Sequence, residues 1–169
     1  MRTQQEKDAF LKLITENKGI IFKICNSYCN NKADRDDLAQ EIIYTLWRGA
    51  KTFNPDYKFS TWMYRVALNV AISFYRVTKK LNSNISYTET YFEIEDKTAD
   101  KAFDEENINS LQYQISILKE LDKALIILYF EEKSYKEIAE IIGITETNVA
   151  TKVSRIKEKL KQNIKNAKK

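Results

Sequence analysis

The sequence predicts an all-α protein with two small helical domains joined by an acidic, flexible linker. The chain of 169 residues contains one proline and three glycines, too few for the many turns of a β-sandwich or barrel. Apolar residues recur at helical spacing on both sides of a segment, 81–111, where that spacing is lost. This segment carries eight acidic and two basic residues, a composition typical of linkers. We therefore predict helical domains over 1–80 and 112–169, with the linker between them.

The first apolar periodicity runs from Gln4 to Cys29 and predicts helical structure there. Cys25 and Cys29 lie about one helical turn apart. Two thiols in a chain without histidine do not make a zinc site. We predict buried or half-buried free thiols and no bound metal.

The next helix is predicted to start near Asp34, whose carboxylate could cap the free backbone amides. Its buried stripe is predicted to comprise Leu38, Ile42, Leu46 and Ala50. A polar set on the opposite side of the same helix consists of Asp37, Gln40, Glu41, Tyr44 and Arg48.

A third helix is predicted within FSTWMYRVALNVAISFYR, capped by Ser60 or Thr61. This helix is almost entirely apolar except for a stripe of polar side chains at steps of four, four and three. The stripe consists of Arg65, Asn69, Ser73 and Arg76, with Trp62 one step earlier. A face that carries two guanidinium groups and an amide is not expected to lie in a core.

Charge is unevenly distributed along the chain, although the net charge is only +4. The segment Thr61–Lys80 has four basic residues and no acidic one, and Thr145–Lys169 has eight basic and two acidic residues. Two basic regions indicate a polyanionic partner that is contacted at two places. Ordinary solvated helix faces would give the same charge pattern, so charge alone leaves both interpretations open.

The C-terminal part has the pattern of a helix-turn-helix. Ser134 and Glu137 form a predicted capping box, Gly143 is placed to end the short helix, and Thr145 is placed to cap the next one. In the first helix, one face is predicted to comprise Tyr135, Ile138, Ala139 and Ile142. In the second helix, the predicted buried stripe is Val149, Val153, Ile156 and Leu160. The outer face of the second helix carries Asn148, Thr151, Lys152 and Arg155. These side chains could reach base edges or phosphates in a major groove. A helical hairpin with a solvated side is the structural alternative.

Catalysis is not predicted. Without histidine the chain has no imidazole base and no His-based triad. The three glycines are far apart and form no phosphate-binding loop, and we predict no catalytic residue and no cofactor. The N-terminus lacks a signal-peptide pattern and no apolar run reaches the ~18 residues of a membrane span, so we expect a cytoplasmic protein without membrane insertion.

Three stretches together resemble bacterial sigma factors of the extracytoplasmic-function type. DRDDLAQEIIYTLWR resembles the family helix that docks on RNA polymerase, FSTWMYRVALNVAISFYR the promoter-reading helix, and SYKEIAEIIGITETNVATKVSRIKEKL the region-four helix-turn-helix. Three such stretches in the right order are far more specific than any one of them.

The resemblance implies the partners and the site residues. The face formed by Asp37, Gln40, Glu41, Tyr44 and Arg48 would bind core RNA polymerase. The stripe from Arg65 to Arg76 would contact the minus-ten element of promoter DNA, as duplex and as melted strand. The preceding loop would hold a flipped base against Phe53, Tyr57 and Phe59, with Lys58 on a phosphate. Trp62 would wedge against the last paired bases or pack as a core aromatic.

The resemblance further implies that the outer face of the second helix of the helix-turn-helix binds the minus-thirty-five element, and that an anti-sigma factor is a further partner. The competing interpretation is a free-standing helix-turn-helix regulator. That interpretation leaves the stripe from Arg65 to Arg76 unexplained.

Overall fold

The computed structural model describes residues 3–82 and 110–167, which are helical over most of their length. The chain divides into two compact units, Met1–Thr90 and Tyr91–Lys169, and each is described by itself. The prediction of an all-α fold with two helical regions is confirmed for the described residues. The predicted linker lies outside them except at its ends, so its flexible character and the predicted domain boundaries stay predictions.

The first unit contains the helices α1 (Gln4–Glu16), α2 (Lys18–Tyr28), α3 (Lys32–Gly49) and α4 (Phe59–Asn82). The periodic segment at its start is two helices, because the chain breaks at Asn17. The Asn17 side-chain amide donates a hydrogen bond to the Leu13 carbonyl oxygen at 2.9 Å. A short amide side chain that competes for backbone groups in this way favours a helix end.

Two predicted helix caps in this unit are corrected by the structure. Asn31, not Asp34, caps α3, and its side-chain oxygen accepts a hydrogen bond from the Asp34 backbone N–H at 2.8 Å. Asp34 lies in the first turn, where its carboxylate faces the positive end of the helix dipole. The fourth helix begins at Phe59, so Ser60 and Thr61 lie inside its first turn instead of preceding it.

The core of the first unit lies between α2, α3 and α4, which pack against one another. The predicted stripe of α3 is confirmed as fully or almost fully buried. It faces apolar residues of the two neighbouring helices, among them Ile24, Met63, Ala67, Leu68 and Ala71. The core therefore holds α3 and α4 side by side, with their remaining faces available at the surface.

Both cysteines are free and buried, as predicted. Burial raises the pKa of the Cys25 thiol from 9.0 to about 11, against a smaller opposing effect of the Arg35 guanidinium. Because the thiolate is the reactive form of cysteine, Cys25 is a packing residue at neutral pH.

The second unit contains α5 (described over residues 110–116), α6 (Glu120–Phe130), α7 (Tyr135–Ile142) and α8 (Glu146–Ala167). The last three helices pack against one another. The predicted buried stripe of α8 is confirmed and faces a core whose most deeply buried members include Leu125, Ile126, Leu128 and Ile138. A hydrogen bond from the Asn163 side-chain amide to the Gln114 side-chain oxygen, at 2.8 Å, joins α8 to α5.

The helix caps at the start of α7 and at the turn between α7 and α8 are the predicted ones. The Glu137 N–H donates to Ser134 Oγ at 3.2 Å and the Ser134 N–H donates to Glu137 Oε2 at 3.0 Å, which completes the capping box. Gly143 has φ 81°, a left-handed conformation that favours glycine. Thr145 Oγ1 accepts from the Asn148 N–H at 3.2 Å. This confirms the helix-turn-helix.

The four residues predicted to form one face of α7 differ in burial. Ile138 and Ala139 are buried, Ile142 is half-buried and Tyr135 is exposed, whereas Ile141, outside the predicted face, is only 3% exposed. Adjacent residues of a helix lie about 100° apart around its axis, so the elements that cover this eight-residue helix decide which isoleucine enters the core.

Candidate nucleic-acid interface

The polar stripe of α4 lies at the surface of the first unit. Arg65, Asn69, Ser73 and Arg76 are all exposed. Met63, Ala67 and Ala71, on other sides of the same helix, have no exposed surface. A rigid, well-packed helix thus presents two guanidinium groups and an amide, groups that can contact phosphates and base edges.

Trp62 differs from the rest of that stripe because it is half-buried in an aromatic cluster. Its ring centroid lies 5.3 Å from that of Phe53, 5.6 Å from that of Phe59 and 6.0 Å from that of Phe10. A Cβ atom on Gly49 would lie 3.1 Å from the Trp62 ring, so this glycine lets the indole approach α3. Of the two roles considered for Trp62, these contacts favour packing.

The loop between α3 and α4 is organised by its own polar groups. Thr52 Oγ1 donates to the Gly49 carbonyl oxygen at 2.7 Å, and the Asp56 N–H donates to Asn54 Oδ1 at 3.0 Å. Tyr57 is 68% exposed at the surface of this loop.

The four loop residues predicted to receive an unpaired base fall into two groups. Tyr57 and Lys58 are exposed, whereas Phe53 and Phe59 are half-buried in edge-on contact at a centroid distance of 5.3 Å. The two phenylalanines therefore offer only part of their ring surface for stacking, and the most accessible of the three rings is that of Tyr57.

The polar set of α3 lies together on the surface of the first unit. All five residues predicted for the polymerase contact are exposed: Asp37, Gln40, Glu41, Tyr44 and Arg48. The Arg48 guanidinium carbon lies 5.5 Å from the centroid of the Tyr44 ring, a distance at which the cation is attracted to the ring.

Two apolar residues beside this set were not predicted from the sequence. Ile43 is 43% exposed and Trp47 is 39% exposed. At a spacing of three residues, Ile43 lies next to Gln40 and Trp47 next to Tyr44. The sequence does signal the first of these residues, because three apolar or aromatic residues follow one another from Ile42 to Tyr44. A single buried stripe can bury only Ile42, so the other two are expected at the surface. Exposed tryptophan and tyrosine beside arginine is a composition typical of energetically important interface residues.

The outer face of α8 is exposed at all four predicted positions, Asn148, Thr151, Lys152 and Arg155. The Thr151 hydroxyl donates to the Thr147 carbonyl oxygen at 2.9 Å, so it is directed towards its own helix. Among the described residues, no side-chain partner holds Asn148, Lys152 or Arg155. Of the four predicted residues, these three have side chains that can extend to a ligand.

No helix in the described part of the chain is both long and apolar enough to span a membrane.

An exposed basic and amide-bearing stripe in one helical unit and a helix-turn-helix in the other fit the class of two-domain sigma-70-type proteins. Family models for Sigma-70 region 2 and Sigma-70, region 4 match residues 13–81 and 108–160. The chain is 30% identical to the ECF RNA polymerase sigma factor SigW of Bacillus subtilis over 94% of its own length and 90% of SigW. It is 24% identical to the RNA polymerase sigma-H factor of Pseudomonas aeruginosa, over 90% of this chain and 84% of that protein. The chain belongs to the extracytoplasmic-function (ECF) family of RNA polymerase sigma factors.

Two solved structures share the fold. One is the sigma factor RpoE from Bartonella quintana in complex with the anti-sigma factor NepR. It matches with a TM-score of 0.72 at 17% identity, over 96% of this chain and 98% of RpoE. The other is CnrH in complex with the cytosolic domain of CnrY, with a TM-score of 0.67 at 19% identity, over 95% of this chain and 90% of CnrH.

Proposed function

We propose that this ECF sigma factor binds core RNA polymerase, directs it to one class of promoters and assists melting of the promoter DNA. The observation that carries the proposal is the exposed stripe of α4. A free-standing helix-turn-helix regulator would need only the second unit, and nothing in that mode of action explains Arg65, Asn69 and Arg76 on the surface of the first.

In the first unit, α3 and α4 have different proposed partners. The exposed face of α3, with Ile43 and Trp47 added to its polar set, contacts core polymerase. The stripe of α4 contacts the minus-ten element: Arg65 and Asn69 hold or read the upstream base pairs, and Ser73 and Arg76 extend the contact. The exposed ring of Tyr57 stacks on an unpaired base and the Phe53–Phe59 pair forms the adjoining surface, because an aromatic face accepts any base.

In the second unit, α8 enters the major groove of the minus-thirty-five element. Asn148 near its start carries a donor and an acceptor for a base edge, while Lys152 and Arg155 reach a base edge or a phosphate. Recognition helices of this fold contact bases through residues near their N-terminus.

The remaining parts of the proposal concern the setting of the protein. It acts as a transcription initiation factor without a catalytic residue or a cofactor of its own, in the cytoplasm, where promoter DNA and polymerase are found.

An anti-sigma protein that covers one of the polymerase- or DNA-binding surfaces is its proposed regulatory partner. Recovery of such a protein with the tagged chain, and its loss on addition of core polymerase, would test this part.

The experiment that tests the main proposal is transcription from a promoter library by purified core polymerase, with and without this protein. We expect a defined subset of promoters to depend on it. A free-standing regulator would instead bind duplex DNA alone and leave promoter choice to another sigma factor. Specific binding of the isolated chain to duplex DNA, without any transcription on addition of core enzyme, would favour that alternative.

Substitutions in the stripe of α4 should distinguish side chains that recognise bases from side chains that bind the DNA backbone. Asn69→Ala is expected to change which minus-ten sequences are used, since the amide supplies both a donor and an acceptor to a base edge. Arg65→Ala and Arg76→Ala are expected to lower activity on all sequences, since phosphate contacts are independent of sequence. Transcription on promoters with single changes in the minus-ten element measures both effects.

Lys12→Ala is the control for these variants, because it removes one exposed cation from α1 of the same unit and is expected to change neither quantity. An Asn69→Ala protein with unaltered activity and unaltered sequence preference would show that the stripe faces something other than the promoter.

Substitutions on α8 should weaken use of the minus-thirty-five element. Arg155→Ala or Lys152→Ala is expected to cost about 1–3 kcal/mol of binding if the lost contact is to a base. If the contact is to a phosphate, binding should weaken and its salt dependence should become shallower. Binding of the holoenzyme to promoter duplexes at several salt concentrations distinguishes the two.

Lys119→Ala provides the control, since Lys119 is exposed in the same unit but precedes α6. Normal transcription by both α8 variants, from promoters with an intact minus-thirty-five element, would remove α8 from the proposed DNA contact.

A further inference from the structure

Helix α8 extends beyond the end of the match to the family model for region 4. The match to region 4 ends at residue 160, whereas α8 continues to Ala167. The helix remains part of the folded unit there: Leu160, the last matched residue, is only 4% exposed, and in the added turns the Asn163 side chain is hydrogen-bonded to Gln114, itself only 9% exposed. The helix is therefore held near its far end as well as at its start.

The surface stripe proposed to read DNA continues into this extension. Asn148, Lys152 and Arg155 are followed at steps of four, three and four by Lys159, Gln162 and Asn166. Such steps keep residues on one side of a helix. All six residues are exposed, so they form one continuous polar stripe along α8.

Helix length decides what the far half of this stripe can contact. Lys159 lies eleven residues beyond Asn148, which is about 16 Å along a helix at a rise of about 1.5 Å per residue. The major groove is only about 12 Å wide. A straight helix with Asn148 against the base edges therefore brings Lys159 out of the groove and to the sugar–phosphate backbone at its rim.

The chemistry of Lys159 suits that position. An ammonium group is a compact point charge that binds phosphate without the planar geometry of an arginine. Within the described residues, Lys159 takes part in no ion pair. The neighbouring Glu158 carboxylate instead accepts from the Gln162 amide at 3.5 Å. The cation is thus available to a polyanion.

We infer that Lys159 is a phosphate-contacting residue that anchors the far half of α8 to the DNA backbone at the rim of the groove occupied by its start. The inference rests on the proposed function of α8 in the minus-thirty-five contact. It divides the helix into a reading half, which ends near Arg155, and an anchoring half, which begins at Lys159 and adds affinity without sequence preference.

The test uses the holoenzyme and promoter duplexes, with binding measured from low to moderate salt. Lys159→Ala should make the slope of log affinity against log salt shallower by about 0.9, the value for one phosphate contact on B-DNA. Preference among minus-thirty-five sequences should not change. Lys159→Arg should restore the slope, since it keeps the charge.

The chain offers a matched control two residues further on. Lys161 is also an exposed lysine of α8, but at about 100° per residue it points some 200° away from Lys159 around the axis. Lys161→Ala should leave the slope unaltered. An equal change in slope for both variants would overturn the inference, because it would indicate a diffuse attraction by the helix charge and not a contact at one residue.

The other outcomes separate this inference from the proposed function. If Lys159→Ala leaves the slope unchanged while Arg155→Ala weakens minus-thirty-five binding, α8 binds DNA as proposed but has no anchor at Lys159. If neither variant has an effect, the proposed role of α8 fails as a whole. Tighter DNA binding by Lys159→Ala would show that Lys159 holds an acidic segment of the protein, which also overturns the inference.

Discussion

Replacing Val153 with aspartate is expected to unfold the second unit. Val153 is 1% exposed on the core-facing side of α8, between Val149 and Ile156, which are also buried. A carboxylate without a partner in an apolar core costs several kcal/mol. That cost is comparable with the whole stability of a small domain, about 5 kcal/mol. Hydrogen exchange of the full chain should show loss of protection in α6, α7 and α8.

The adjacent residue supplies a control for the charge itself. Ser154 is exposed, and Ser154→Asp should change stability by no more than about 0.5 kcal/mol, as is usual for surface positions. Protection in α2, α3 and α4 should be the same in both variants, since the two units are separate compact bodies. Native protection throughout the Val153→Asp chain would contradict the burial of this stripe.

Reversing two charges on α3, Asp37→Lys together with Glu41→Lys, is expected to abolish most binding to core polymerase. Both carboxylates are exposed, opposite the buried stripe of the helix, so the fold should persist. A like charge placed against a complementary interface costs several kcal/mol, which corresponds to more than a hundredfold weaker binding. Titration of labelled core enzyme measures this affinity, and a thermal melt checks the fold.

The control applies the same change in net charge to another surface. Asp8→Lys together with Glu16→Lys alters two exposed carboxylates of α1 and should leave core binding within about threefold, since distant exposed charges are screened at physiological salt. Equal affinity of the α3 double variant and the wild type would exclude this face from the polymerase contact.

The helix ends show how local chemistry alone predicted part of the fold. The Ser134–Glu137 capping box, the left-handed Gly143 and the Thr145 cap are each an interaction among residues at most four apart. Such interactions can be predicted from the sequence because they involve only residues that are close together in the chain. The end of α6 could not be predicted in this way, since Glu132 adopts φ 56° there and no glycine marks the turn. The start of α3 was misplaced because Asn31 and Asp34 are both good caps and only one is used.

The sequence by itself determined the all-α class, the helix-turn-helix and the buried stripes of α3 and α8, because helical periodicity forces residues three and four apart onto one face. It also determined which polar residues of α4 and α8 could share a surface. Only the tertiary structure decided that Trp62 leaves its stripe for an aromatic cluster with Phe10, Phe53 and Phe59, and that Ile43 and Trp47 stay exposed. The physical reason is that burial depends on which other helix covers a face, and that helix can lie some fifty residues away in the chain: Phe10 of α1 meets Trp62 of α4.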